Sequence, residues 1–203
     1  MSTEAETPTR REQMKADRRN QLLQAGARLI AERGFHGVPL EDLGAAAGIS
    51  GPAVYRHFPN KEALLVELLV GVSQRLFDGG MAVVENASSA PEALAGLIEF
   101  HLDFALGESD LIRIQDRDLE NLPGPAKKQV RKAQRQYVEI WVSVLRQLHP
   151  TLSEVEARIE AHATFGLINS TPHSASRLSP AVARKVLRHL ATVSLTSPFE
   201  PST

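Results

Sequence analysis

Apolar residues recur three and four positions apart along nearly the whole chain, and no stretch alternates as a strand would. The pattern predicts an all-α fold. Leu22, Ala25, Leu29 and Ile30 mark a first helix that starts at or beside Asp17 and stops at Gly34. Leu40 and Leu43 mark a short second helix, which Gly48 ends while Ile49 plugs the corner. Ser50 is placed to cap a third, with Gly51 and Pro52 in its first turn and Val54 and Phe58 turned inward. The fourth begins near Asn60, carries Leu64, Leu65, Leu68, Leu69, Val72 and Leu76, and weakens at Gly79-Gly80. Ser89-Ala-Pro-Glu92 has capping-box spacing and opens a fifth helix through Leu106. Ser109 or Asp110 opens a sixth through Leu122, and Pro123-Gly-Pro125 breaks the pattern. The seventh runs from Ala126 to Leu148 with Val130, Ala133, Tyr137, Trp141 and Val144 on one stripe. Ser153-Glu-Val-Glu156 opens an eighth through Ser170, and Ser179-Pro180 a ninth through Val193.

Two short helices about a glycine, followed at once by a third element, form a helix-turn-helix pattern. Tyr55, Arg56 and His57 are left facing outward, and their donors suit phosphates and base edges. The runs Ala31-Glu-Arg-Gly-Phe35, Ala47-Gly-Ile-Ser50, Val54-Tyr-Arg-His-Phe58 and Lys61-Glu-Ala-Leu-Leu65 resemble the tetracycline-repressor-like (TetR/AcrR) family of bacterial transcription regulators. That resemblance implies a nine-helix architecture, with an N-terminal three-helix DNA-binding domain and a C-terminal helical ligand-binding and dimerisation domain. It implies phosphate contacts for Tyr55, His57 and Lys61, and base-facing positions for Gly51, Pro52, Ala53 and Arg56. Val38-Pro39 stands where the family usually has a threonine pair, so a hydroxyl that caps the second helix or touches a phosphate is missing. The expected organisation is a flexible basic arm over 1–16, the helix-turn-helix domain over 17–63, the effector and dimerisation domain over 64–196, and a disordered tail over 197–203.

Charge supports a DNA-facing end. The whole chain carries a net charge of only −1, yet from Arg10 to Lys61 nine Lys/Arg oppose five Asp/Glu. Arg10, Arg11, Lys15, Arg18 and Arg19 read either as an arm for phosphates or the minor groove, or as a solvated tail. With 203 residues and 42% hydrophobic content, the chain can bury a small domain and a larger one. Absence of cysteine excludes disulfides and thiolate metal sites. The first nineteen residues lack the apolar stretch of a secretory signal, and no run of eighteen apolar residues occurs, so a cytoplasmic protein without membrane association is expected. No HExxH, GxSxG or phosphate-loop motif is present, and Asp116, Asp118 and Glu120 stand two apart and so do not face one another on a helix. No catalytic residue, metal or cofactor is expected.

Candidate ligand-binding residues lie on the middle helices: His101, Phe104, Arg113, Gln115, Tyr137, Trp141, His162 and Phe165. Each has a plainer reading. His101 shares an apolar stripe with Leu94 and Leu97 and His162 is a similar case, Tyr137 and Trp141 suit an ordinary aromatic core, and Arg113 to Leu119 suits a salt-bridged surface. Gln115-Asp116, together with Gln136-Tyr-Val-Glu-Ile-Trp-Val-Ser-Val-Leu145, is similar to the branch of the family that controls lipid, sterol and acyl-coenzyme A catabolism in actinobacteria. That resemblance implies an acyl-CoA effector. Arg113, Arg117, Lys127, Lys128 and Arg131 would face its anionic head, or else form a solvated surface.

The last two helices carry apolar faces, with Val155, Ile159, Ala163, Gly166 and Leu167 on one and Val182, Val186, Leu187, Leu190 and Val193 on the other. By resemblance they join a second copy in a four-helix interface, giving a homodimer that reads a pseudo-palindromic double-stranded operator. The implied function is a ligand-responsive repressor. The alternatives are a regulator whose body only dimerises and a helical enzyme.

Overall fold

The computed structural model describes residues 9–174 and 179–197. Among them are the nine expected helices: α1 Arg10–Arg33, α2 Leu40–Ala47, α3 Gly51–Tyr55, α4 Lys61–Asn86, α5 Ala90–Gly107, α6 Ser109–Asp118, α7 Gly124–Leu148, α8 Glu154–Ile168 and α9 Pro180–Thr196. A 3₁₀ turn, Leu119–Asn121, follows α6, and a single helical turn, Thr171–Ser174, follows α8. No strand occurs among the described residues, and none of their helices is long and apolar enough to cross a membrane.

Two apolar cores organise the chain. The first unites α1 to α3 with the first half of α4 through Leu22, Ile30, Leu43, Val54, Phe58, Leu64 and Leu65, and takes in Leu111 and Ile114 from α6. The second joins α5, α7, α8 and α9 around fully buried Trp141. These are the head and the body of the molecule, and α4 runs from one into the other.

Three boundaries, the start of α1 and the ends of α4 and α6, depart furthest from the sequence reading. α1 begins at Arg10 rather than Asp17, because Thr9 and Glu12 form a capping box in which the Glu12 carboxylate accepts from the Thr9 N–H at 2.8 Å. Residues 10–16 are therefore a helical extension and not a flexible arm. Residues 1–8 of that expected arm, and 198–203 of the expected tail, lie outside the described residues. α4 does not weaken at Gly79-Gly80 but continues to Asn86. The glycines serve packing there: a Cβ on Gly80 would lie 2.6 Å from Cε2 of Tyr137, and one on Gly79 would run into the Phe100 ring. α3 ends at Tyr55, and Arg56 to Phe58 form a turn that bonds back to Ala53 and Val54. α6 ends at Asp118, short of the expected Leu122. Ser50 occupies the N-cap position of α3, yet its hydroxyl makes no capping bond.

Candidate DNA-facing surface and internal cavity

α3 presents its N-terminal end to solvent. Gly48, with φ +65°, turns the chain between α2 and α3, and buried Ile49 and Val54 pin the turn from beneath. Nothing lies within 4 Å of where a Cβ would stand on Gly51, Pro52 is exposed, and Ala53 is half-buried against the core. Tyr55 is 47% exposed, and its hydroxyl donates to Glu41 at 2.6 Å. Arg56 is exposed and makes no ion pair among the described residues. The Lys61 ammonium lies 4.6 Å from the Phe35 ring centroid, a cation–π contact that orders the side chain at the start of α4.

The basic residues of α1 sit beside this surface. Arg19 donates to the backbone carbonyl of His57 at 2.8 Å, lies over the Phe58 ring and pairs with Glu67. Burial, then the charges of Arg19, Lys15, Arg18 and Arg56, holds the His57 imidazole below its ordinary pKa. Tyr55, Arg56, His57 and the exposed side of α1 thus form one cationic, donor-rich face.

A cavity of about 230 Å³ lies in the body. Ser73 and Leu76 of α4, His101 and Phe104 of α5, Gln115 of α6, Gln134, Tyr137 and Val138 of α7, His162 and Phe165 of α8, and Asn169 line it. Tyr137 and Phe165 stack at 5.6 Å with an interplanar angle of 16°. His101 is buried beside both, its Nδ1 3.2 Å from Tyr137 Oη and its Nε2 3.1 Å from Asn169 Oδ1. An amide oxygen accepts only, so Nε2 carries the proton and Nδ1 accepts from the tyrosine. Burial lowers the pKa of His101 to about 4 and raises that of Tyr137, leaving both neutral.

Six of the eight expected ligand residues therefore share the cavity: His101, Phe104, Gln115, Tyr137, His162 and Phe165. Two do not line it. Trp141 is fully buried behind the wall, edge-on to Phe165 at 5.0 Å. Arg113 donates to the Pro172 carbonyl at 2.7 Å. The basic mouth also fails, since none of Arg113, Arg117, Lys127, Lys128 or Arg131 lines the cavity. Lys127 and Arg131 instead pair with Glu120 at 2.8 and 2.9 Å.

Comparison with known proteins decides the family. The family described as "Bacterial regulatory proteins, tetR family" matches residues 22–68, and "Tetracyclin repressor-like, C-terminal domain" matches residues 87–173. The chain belongs to the TetR family. The HTH-type transcriptional repressor KstR2 of Mycobacterium tuberculosis is 31% identical over 133 residues, a match spanning 64% of this chain and 66% of that relative. The chain thus covers just under two thirds of that relative's length. The solved structure of the ketosteroid transcriptional regulator KstR2 of the same organism superposes with a TM-score of 0.76 at 24% identity, covering 88% of this chain and 93% of that one. A structure of AibR in complex with isovaleryl coenzyme A and operator DNA gives a TM-score of 0.68 at 20% identity, over 85% and 97% of the respective chains.

On this TetR chain, α8 and α9 leave an apolar face uncovered. Val155 and Ile159 of α8 are 68% and 63% exposed, and Val182, Val186, Leu190 and Val193 of α9 are exposed beside them. The opposite side of α9 is fastened to α5, where Arg184 and Arg188 pair with Glu99 and Arg184 also reaches Asp103. Sequence reasoning missed Ser73, Leu76, Gln134, Val138 and Asn169 as cavity residues. Helical spacing could have found Gln134, three positions before Tyr137 on the same face of α7.

Proposed function

We propose that this TetR-family chain is a cytoplasmic transcriptional repressor that binds a pseudo-palindromic operator as a homodimer and is released by a small hydrophobic or acyl-CoA-like effector. The observation that carries the reading is the joint presence of a cationic face around α3 and an aromatic-lined cavity in the body. The face supplies donors for phosphates and base edges at Tyr55, Arg56, His57 and Lys61, while Gly51 and Pro52 leave the backbone accessible. The uncovered α8 and α9 stripe is the surface for a second copy, which doubles the number of phosphates contacted.

Among the described residues no Lys, Arg, Asp or Glu lines the cavity, and His101 within it is neutral. The enclosed part of the effector is therefore uncharged and largely apolar, with an oxygen able to use Gln115, Gln134 or Asn169. At about 230 Å³ the space is smaller than the roughly 300–1,000 Å³ of drug-sized sites, so it suits an acyl portion rather than a whole CoA ester. The AibR complex, which holds isovaleryl coenzyme A and operator DNA, supports this class.

The test is selection of bound duplexes from a random pool, followed by titration of the complex with acyl-CoAs of increasing length and the matching free acids. Two half-sites in the selected DNA, and release by esters but not acids, are expected. No enrichment of any duplex would overturn the DNA-binding reading. Enrichment with unchanged affinity across the ester series would leave a regulator whose body only dimerises.

A further inference from the structure

The end of α1 is capped by another helix. Its last-turn carbonyls, Ile30 O and Ala31 O, accept hydrogen bonds from the Arg117 guanidinium of α6, the second at 3.3 Å. Just past the helix, the Phe35 N–H donates at 3.2 Å to Oδ1 of Asp118, which is buried. Arg117 holds that carboxylate through Nε at 3.1 Å and Nη2 at 2.9 Å. Ile30 O already accepts from the Gly34 N–H, so the guanidinium adds a second bond there, while Arg117 and Asp118 supply partners to Ala31 O and the Phe35 N–H that the helix end does not. Gly34, with φ +81°, turns the chain beneath the guanidinium, and His36 Nε2 meets Asn121 Oδ1 at 2.9 Å.

The same helix serves both halves of the molecule. Leu111 and Ile114 of α6 enter the head core, Ile112 enters the body core, and Gln115 lines the cavity within a turn of Arg117. α4 joins head to body as continuous chain, and Leu111 and Ile114 of α6 with Ala126 and Val130 of α7 pack into the head core, but apolar contact is non-directional and leaves the angle between the two free to slide. The directional hydrogen bonds from Arg117 and Asp118 to the end of α1 remove that freedom.

We propose that Arg117 and Asp118 are positioning residues that fix the angle of the head relative to the body. The purpose of such a joint rests on the DNA-reading function proposed above, but its geometry does not. Since the chain has no cysteine, Ala46→Cys on α2 and Ala95→Cys on α5 place spin labels on exposed positions of head and body. Labelled chain is diluted into excess unlabelled chain, so that distances are read within single copies.

Electron-spin distance measurement should give a narrow distribution in the parent and a broadened or shifted one in Arg117→Ala and Asp118→Ala. Asp118→Asn, which keeps an acceptor for Phe35, should fall between. Affinity for the selected DNA should drop on the order of tenfold in Arg117→Ala, within the usual range of coupling between sites. Circular dichroism is the check that the variants stay helical; if the alanine variants do not fold, Arg117→Lys and Asp118→Asn are judged by the same criterion. Lowered melting temperature with an unchanged distance distribution would mean a merely local cap, and would overturn the proposal. Changed distances in the variants of a parent that binds no DNA would uphold the joint while the regulator reading fell.

Discussion

Acidification should destabilise the body through His101. In the folded chain its pKa falls from 6.5 to about 4, because burial strips water from the charged imidazolium and the Asn169 oxygen only partly compensates. An unfolded chain regains a value near 6.5 and so takes up the proton first. The contribution of His101 to stability is complete above about pH 6.5, is lost as pH falls towards about 4, and changes no further below that. At about 1.4 kcal/mol per pKa unit, the whole effect amounts to about 3 kcal/mol. Urea unfolding of the parent and of His101→Gln, at matched chain concentration and from about pH 8 to about pH 4, isolates it because the other titrating groups are shared. The stability advantage of the parent should shrink by about 3 kcal/mol across that interval. Parallel stability curves, or an imidazole NMR titration centred near its ordinary value, would refute the reasoning.

Other perturbations reach the remaining parts of the molecule. Gly80→Ala gains about 1 kcal/mol of helix propensity but drives a Cβ against buried Tyr137, and overpacking of that kind costs about 1–3 kcal/mol. A lowered melting temperature and weaker effector binding are expected. Ile159→Glu together with Val186→Glu places charge on the uncovered α8 and α9 stripe, and sedimentation velocity should then show single copies with unchanged helical content. Arg56→Ala should cost about 1–3 kcal/mol on the selected duplex and flatten its preference among single-base variants, whereas Lys61→Ala should weaken all duplexes alike in competition binding. A phosphate beside His57 favours its charged form, so DNA affinity should rise as pH falls below neutrality, and His57→Gln should remove that rise.

Much of the head was legible because its core residues follow helical spacing closely. Leu22, Ile30, Leu43, Val54 and Phe58 are all buried where the pattern put them. Thr9 and Glu12 also stand at capping-box spacing, so the true start of α1 was readable and was hidden by the surrounding charges. The course of α4 was not readable. Glycine in sequence signals a helix end, and only the distant partners Phe100 and Tyr137 turn Gly79 and Gly80 into points of close approach.

The cavity was legible in kind but not in outline. Aromatic and histidine side chains on the middle helices gave five of its residues and Gln115 a sixth, yet a lone tryptophan reads the same whether it lines a wall or backs it. Arg113 and Arg117 were misplaced for another reason. Beyond the Asp118 carboxylate that Arg117 also holds, their acceptors are backbone carbonyls at Pro172, Ile30 and Ala31, and main-chain acceptors leave no mark in a sequence.

The length of α4 has a mechanical consequence. Its 26 residues, at about 1.5 Å each, make a rod of about 39 Å that starts beneath the recognition turn and meets Phe100 and Tyr137 at Gly79 and Gly80 in its second half. A tilt of about 5° would carry the far tip roughly 3.4 Å, the rise of one base along a strand. Leverage of that size turns a displacement the width of a side chain into the loss of a reading frame on the double helix.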